Sequence, residues 1–298
     1  MFYKNYDALR GRVGGAGRKK IAVAAAHDRE VLLTADMASA RGIADFILVG
    51  DKKKIEEAKE LCGIERAFEV IDEADESKAS LAASELVREG AADVLMKGLV
   101  NSGLFLKAVL DGEKGLKTGR RLSHLAAFEV PSYHKLVFHT DGGMNTYPDF
   151  DGKKEIVANA LEALNRLGIA RPKVAALAAN EVVNDRMPST VDAARLVELE
   201  KEGGLPECDI EGPVAMDVAL SSEAAMHKGI TSAVSGDVDL FVVPNIEAGN
   251  MVGKTLMYCA GAKMAGVVLG GRKPIVMTSR AENAEGKLNS ILLAALIS

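Results

Sequence analysis

Tryptophan is missing from this 298-residue chain, and aromatic residues make up only 4% of it. A surface that stacks nucleic-acid bases needs more rings than that. Positive charge is not in excess either. There are 37 Lys and Arg against 42 Asp and Glu, a net charge of −5. General nucleic-acid binding therefore has no support, although a local group of cations can still hold a small anion. Cysteine is scarce. Cys62, Cys208 and Cys259 stand apart, with no Cys-x-x-Cys or Cys/His spacing. That excludes the usual zinc patterns, so no metal is expected. Three scattered thiols fit a reducing cytoplasm. No apolar run approaches the roughly 18 residues of a membrane span, and the first 20 residues lack the apolar core of a signal peptide.

What the chain does have is an ordinary globular balance, 48% hydrophobic and 27% charged. Its length fits two domains or one large α/β domain. Short apolar runs alternate with helix-spaced segments. The runs are 21–26, 46–50, 68–71 and 93–98, and the helical segments 29–41, 52–61, 77–89 and 101–110. Because the runs are continuously apolar, they predict strands covered on both faces of a parallel, doubly wound sheet. The rhythm changes near residue 120. Leu122–Val130 and Lys135–His139 are joined by only Pro131-Ser-Tyr-His134. So short a link permits only antiparallel pairing, and a domain change is expected near residue 130.

Alternation then resumes, with a helix over 153–167, a strand over 174–179 and a helix over 190–202. Glu211-Gly-Pro213 predicts a turn, and 215–228 a single helical segment. Leu240–Val243 is a strand opening into a polar loop, Asn245–Asn250, with a helix starting near Gly249. Strands over 266–270 and 275–280 and an amphipathic helix over 284–297 complete the chain.

Several strand ends carry small and polar groups: His27-Asp28, Lys97-Gly98, Thr140-Asp-Gly-Gly143, Asn245–Asn250 and Thr278-Ser-Arg280. Open α/β sheets bind ligands beyond such ends. Ser279 and Arg280 have two readings. A hydroxyl and a guanidinium near a helix start suit a phosphate or carboxylate. Equally, Ser279 caps the last helix and Arg280 pairs with a surface acid. Lys97 is either a solvated strand-end lysine or a ligand-binding one. Glu247 is a base, a ligand partner, or simply an acid at a helix start. His124, His134 and His139 form no metal set and no triad with a nucleophile, and read as structural.

Ala248 to Thr255 reads Ala-x-x-x-x-Gly-Lys-Thr, close to the phosphate-cradling Gly-x-x-x-x-Gly-Lys-Ser/Thr loop. Ala248 stands where that loop has glycine. The strand soon after it, Val267–Leu269, ends without an Asp for magnesium. A helix starting near Gly249 also encloses Gly253. The nucleotide-loop match is accidental.

Asp237–Lys254, Pro274–Arg280 and Lys287-Leu-Asn-Ser290 resemble the phosphate acetyl/butyryltransferase family. Leu95–Asn101, Lys117-Thr-Gly119, His139–Asn145, Glu211–Asp217 and His227-Lys-Gly229 resemble its butyryl branch. The resemblance implies a two-domain α/β fold, like the isocitrate/isopropylmalate dehydrogenase group, of mainly parallel sheets with helices on both faces. It also implies an active site in the interdomain cleft. It sets domains of 1–129 plus 280–298, and 130–279. The implied reaction is acyl-CoA plus phosphate to acyl phosphate plus CoA, with butyryl-CoA or a similar short chain. No cofactor is tightly bound, and coenzyme A is a substrate. The alternatives are a phosphate acetyltransferase and a hydroxyacid dehydrogenase of the same fold group.

By the same resemblance Arg280 and Ser279 hold phosphate and its growing charge. Lys97, Asn101, Thr118, Glu247, Gly249, Asn250 and Asn289 contact substrate, with Asn250 and the N–H groups around Gly249 positioning an anion or the carbonyl. The acetyl branch carries an Asp at the position of Gly286, as base for the CoA thiol. Here Glu285 is adjacent, so either Glu285 takes the role or no protein base is used. A cytoplasmic homo-oligomer, at least a dimer, is expected, with no membrane or nucleic-acid partner.

Overall fold

The computed structural model describes residues 2–13, 17–278 and 282–298. They form two compact units. One joins 6–120 to 265–298, and the other joins the residues before Tyr6 to 121–264. The sequence places the corresponding breaks at 129/130 and 279/280.

The first unit opens with α1 (Tyr6–Arg10). Then β1 (Lys19–Ala24), α2 (Arg29–Ala40), β2 (Ala44–Gly50), α3 (Lys52–Leu61), β3 (Glu69–Asp72), α4 (Glu76–Arg88), β4 (Val94–Lys97) and α5 (Ser102–Val109) follow. The second unit holds β5 (Ser123–Glu129), β6 (Val137–Thr140), α6 (Phe150–Arg166), β7 (Lys173–Leu177), α7 (Pro188–Lys201), β8 (Asp209–Val214), α8 (Met216–Leu220), α9 (Ser222–His227), β9 (Leu240–Val242) and α10 (Ile246–Tyr258). Last come β10 (Lys263–Leu269), β11 (Ile275–Val276) and α11 (Ala284–Ile297), which return to the first unit.

In the first unit the strands lie in the order β3-β2-β1-β4-β11-β10. The chain steps outward from β1 to β3, then back to β4. Right-handed crossovers therefore put α2 and α3 on one face and α4 on the other. Strands β1 and β4 become parallel neighbours where the direction reverses. Polar side chains start the helices cleanly: Asp28, Asp51 and Asp75 each accept a backbone N–H of the first turn, a cap of about 1 kcal/mol. The bounds of α11 match the predicted helix, but its amphipathic character does not. Lys287, Asn289 and Ser290 are buried along with Leu288, Ile291, Leu292, Leu293 and Ile297. A helix enclosed on most sides needs apolar residues all round; α11 packs against α2, β11 and α1. Ser290 is satisfied there by accepting the Gly266 N–H at 2.9 Å.

The second unit has the order β5-β6-β9-β7-β8. As the short link predicts, β5 and β6 pair antiparallel; the other pairs are parallel. Three local expectations fail. Glu211-Gly-Pro213 is part of strand β8, not a turn. This strand ends the unit's sheet, where proline's missing N–H costs no ladder bond. A Cβ on Gly212 would lie 2.7 Å from Ala176 Cβ, so the glycine is set by packing. The single helix over 215–228 is broken at Ser221, whose extended backbone lets its hydroxyl cap α9 at Ala224. The helix expected near Gly249 starts earlier, at Ile246, because Asn245 Oδ1 accepts the Ala248 N–H at 2.9 Å. Residues 246–250 are thus helix rather than loop.

A charged network joins the N-terminal ends of β7 and β9 to the start of β6. Lys135 Nζ lies 2.6 Å from Asp239 and 2.9 Å from Asp237. Lys173 Nζ reaches Asp237 at 2.8 Å, and His134 Nε2 meets it at 2.9 Å. Burial works against the Asp237 carboxylate. Hydrogen bonds from Lys135, Lys173 and His134 outweigh it and hold Asp237 well below the usual carboxylate range.

Candidate active site

In the first unit two of the sequence candidates, Lys97 and Asn101, lie at and just beyond the C-terminal end of β4. Lys97 is its last residue and only 6% exposed; its Nζ donates to the Gly98 carbonyl at 3.3 Å. The Gly98 N–H donates to Ala24 O and the Leu99 N–H to Ala25 O, each at 2.8 Å. A Cβ on Gly98 would stand 2.4 Å from Ala25 O. Ala25 holds a positive φ of 53°, rare for a residue with a side chain. So β1 and β4 are stitched together at the point where strand order reverses, the usual ligand position of such a sheet. Asn101 follows as the cap of α5, accepting the Gly103 N–H at 2.8 Å. Thr118 is tied elsewhere in this unit, donating to Gly270 O at 2.6 Å. Asn289 is buried within α11 at 2% exposure. Glu285 is exposed in the first turn of the same helix. Ser279 and Arg280 lie outside the described residues.

In the second unit Glu247, Gly249 and Asn250 share the first turns of α10. Glu247 and Asn250 line a hollow of about 590 Å³ with Ile246 and Met251. Gly249 does not face it. Its N–H is given to Asn245 O at 3.1 Å, and the residue is buried. A Cβ there would come within 2.6 Å of Gly142 Cα and 2.8 Å of Val243 Cγ2. Gly253 is buried inside the helix, as the reading against a nucleotide loop requires.

Behind this turn lies the Asp-Gly-Gly segment that follows β6. Asp141 is 4% exposed, and its two carboxylate oxygens accept four hydrogen bonds. Oδ1 takes the N–H groups of Gly143 and Met144, each at 2.8 Å. Oδ2 takes the His124 N–H at 3.1 Å and Asn145 Nδ2 at 2.6 Å. Burial pushes the His139 ring down to about 3, with His124 nearby adding to the effect. Burial lowers His124 as well, against the pull of Asp141. Both rings are therefore neutral at neutral pH. They pack as apolar plates against Gly142 and Gly143, and His139 meets Phe128 edge-on at 5.0 Å. Two residues of this neighbourhood are absent from the sequence candidates. Asp141 enters the sequence reading only within the strand-end group Thr140-Asp-Gly-Gly143 and the stretch His139–Asn145, with no role of its own. Tyr147, whose hydroxyl donates to Glu247, carries no local signal.

The chain is similar to proteins of known activity. A model of the family described as phosphate acetyl/butaryl transferase matches residues 66–295. A phosphate butyryltransferase of Clostridium acetobutylicum is 45% identical over 295 residues, 99% of this chain and 98% of the relative. A phosphate acetyltransferase of Thermotoga maritima is 37% identical over 93% of this chain and 95% of its own. The crystal structure of a branched-chain phosphotransacylase from Enterococcus faecalis V583 aligns with a TM-score of 0.82 at 31% identity, covering 94% of this chain and 99% of that one. With a matching family model over most of its length and these relatives end to end, the chain belongs to the phosphate acetyl/butaryl transferase family.

Proposed function

We propose that the protein is a phosphate acyltransferase that exchanges an acyl group between coenzyme A and inorganic phosphate. It runs acyl-CoA plus phosphate to acyl phosphate plus CoA, reversibly, by direct transfer in a ternary complex. The acyl group is butyryl or a similar short chain. One observation carries this reading: 45% identity to a phosphate butyryltransferase across 99% of the chain. The 37% identity to a phosphate acetyltransferase supports a second reading, in which acetyl is preferred.

Written toward acyl-CoA, the CoA sulfur attacks the acyl carbon, the carbon–sulfur bond forms, and the bond to the phosphate oxygen breaks. The thiol proton leaves to a base or to water. Negative charge grows on the carbonyl oxygen and on the departing phosphate. In this reading Arg280 and Ser279 hold the phosphate and its charge. Glu285, exposed at the start of α11, takes the thiol proton, or a thiol near its ordinary pKa of about 8.5 ionises without help. Lys97, Asn101, Thr118, Glu247, Gly249, Asn250 and Asn289 contact substrate or set the groups that do, and positioning two substrates together supplies much of the rate. The reading includes no tightly bound cofactor, a cytoplasmic location and a homo-oligomer of at least two subunits. Exposed Val182, Val183 and Met226 in the second unit offer apolar surface of the sort a subunit contact covers. No helix among the described residues is long and apolar enough to cross a membrane.

The test is incubation with butyryl-CoA and phosphate while free thiol is followed. Phosphate-dependent thiol release is expected, and its rates with acetyl-, butyryl- and branched acyl-CoA rank the acyl preference. No release, or hydride transfer from a hydroxyacid to a nicotinamide, overturns the reading.

A further inference from the structure

The first turn of α10 is held from outside the helix. Its Ile246 N–H, one of the four donors that a helix start leaves unpaired, is accepted by Thr146 O at 3.1 Å. One residue on, the Tyr147 hydroxyl donates to the Glu247 carboxylate. Between these ties and β6, Gly142 presses on Gly249. A Cβ on Gly142 would stand 2.9 Å from Gly249 C, and one on Gly249 2.6 Å from Gly142 Cα. Backbone lies against backbone, so the helix start cannot shift without moving the segment 141–147.

That segment contains no helix or strand. Its shape rests on the Asp141 carboxylate. One oxygen closes the turn through Gly143 and Met144; the other joins Asn145 to the His124 backbone in β5. Asn145 Nδ2 also donates to Leu122 O at 2.8 Å. Both sides of the segment are thereby anchored to the β5–β6 hairpin, and its far end grips α10.

We propose that Asp141 is a positioning residue: through the segment 141–147 it fixes the first turn of α10, and with it the hollow lined by Ile246, Glu247, Asn250 and Met251 where acyl-CoA binds. Asp141 touches no substrate. Its action passes through Thr146 and Tyr147 to the turn that does. The assignment of substrate to that hollow rests on the phosphate acyltransferase reading; the mechanical link does not.

Two readouts on the same variants separate these. Amide hydrogen exchange over 246–249 tests the link without any activity. Steady-state kinetics with acyl-CoA and phosphate test its use. Asp141→Asn keeps one acceptor oxygen for Gly143 and Met144, but its amide nitrogen no longer accepts from His124 and Asn145. In Asp141→Asn, exchange at Ile246, Ala248 and Gly249 is expected to quicken at least tenfold, while β1 and β4 amides stay unchanged. The acyl-CoA kcat/KM is expected to fall at least tenfold, mostly in KM, with phosphate KM nearly constant. Tyr147 is exposed, so Tyr147→Phe is expected to remove its hydroxyl without disturbing the fold. A rise of about threefold in acyl-CoA KM, with no change in Tm, is expected. Exchange at 246–249 that stays at the wild-type rate in Asp141→Asn overturns the proposal, whatever the kinetics show. So does a loss of activity tracked entirely by lost folded protein, with KM and kcat of the folded fraction unchanged. Wild-type protein with no phosphate-dependent thiol release overturns the acyltransferase reading, and the exchange result then decides the link on its own.

Discussion

At the scale of single residues, two glycines in one helix have different reasons to be there. Replacing a helical glycine by alanine ordinarily favours the helix by about 1 kcal/mol. At Gly249 the added methyl meets the Gly142 backbone at 2.6 Å, which only a backbone shift relieves. We expect Gly249→Ala to be destabilising by about 1–3 kcal/mol net, with a matching loss of acyl-CoA affinity; urea unfolding and a KM measurement check both. At Gly253 the nearest atom is 3.3 Å away, at the tip of the Phe128 side chain, so a few tenths of an ångström of side-chain give, not a backbone shift, relieves the contact. The sequence puts the helix start and its free N–H groups near Gly249, whereas the actual start at Ile246 is not legible in it. The position of the cap depends on which nearby side chain reaches the N–H of the first turn, and Asn245 does so before Gly249 is reached. Burial of Lys97 was also hidden, because a lysine after three apolar residues reads the same whether the strand end is open or covered. Arg280 and Glu285 remain separable by substitution. Arg280→Ala is expected to keep the fold and lose most turnover, a hundredfold or more, whereas Glu285→Gln is expected to shift the thiol-dependent limb of the pH–rate profile if Glu285 is the base.

Helices and strands were the most legible scale. The bounds of α3 agree with the sequence at both ends, and α2, α6 and α11 are found where their periodicity puts them. Continuous apolar runs announce parallel strands, and β1, β4, β7 and β9 are such runs. Failures came where a local rule met a tertiary one. Gly212-Pro213 carries the composition of a turn, yet occupies the outermost strand of its sheet, where proline is tolerated. Ser221 has no unusual composition, but its capping bond divides 215–228. The amphipathic expectation for α11 failed because one polar stripe, Lys287, Asn289 and Ser290, is buried with the apolar one. Asn245 gives this scale its prediction. Asn245→Ala removes the acceptor of the Ala248 N–H and is expected to cost about 1 kcal/mol. Acyl-CoA KM is expected to rise with it, since the same turn lines the hollow; Asn245→Asp is expected to restore both.

For the whole molecule the buried histidines and the Lys135–Asp237 network set how stability responds to pH. His139 is neutral when folded, with its pKa pushed to about 3, while the unfolded chain takes up a proton below about 6.5. Between those values the unfolded state binds more protons, so stability falls as pH falls. From pH 7 to pH 5 the loss from His139 alone is about 2 kcal/mol. Lowered His124 acts in the same direction. Asp237 follows a lower window. Its depressed pKa contributes stability that is present above the ordinary carboxylate value of about 3.9 and lost as pH falls toward its folded value. Denaturant midpoints are expected to drop between pH 7 and 5, and His139→Gln to flatten that slope. A slope unchanged in His139→Gln counts against the assignment.

The return of the chain to its first unit also shapes how the protein is made. Residues 6–120 emerge from the ribosome long before 265–298, yet their core includes Leu288, Ile291, Leu292 and Leu293 from α11. Until residues 265–298 have been made, β4 has no β11 beside it and α2 lacks its contact with α11. The segment 121–264 contains nearly all of its own partners in one stretch and is free to fold during translation. The half begun by residues 6–120 is therefore completed only after the segment 121–264 has been made. A nascent chain halted before residue 284 is expected to leave that half open to proteases and chaperones, because Leu288, Ile291, Leu292 and Leu293 of its core are then missing.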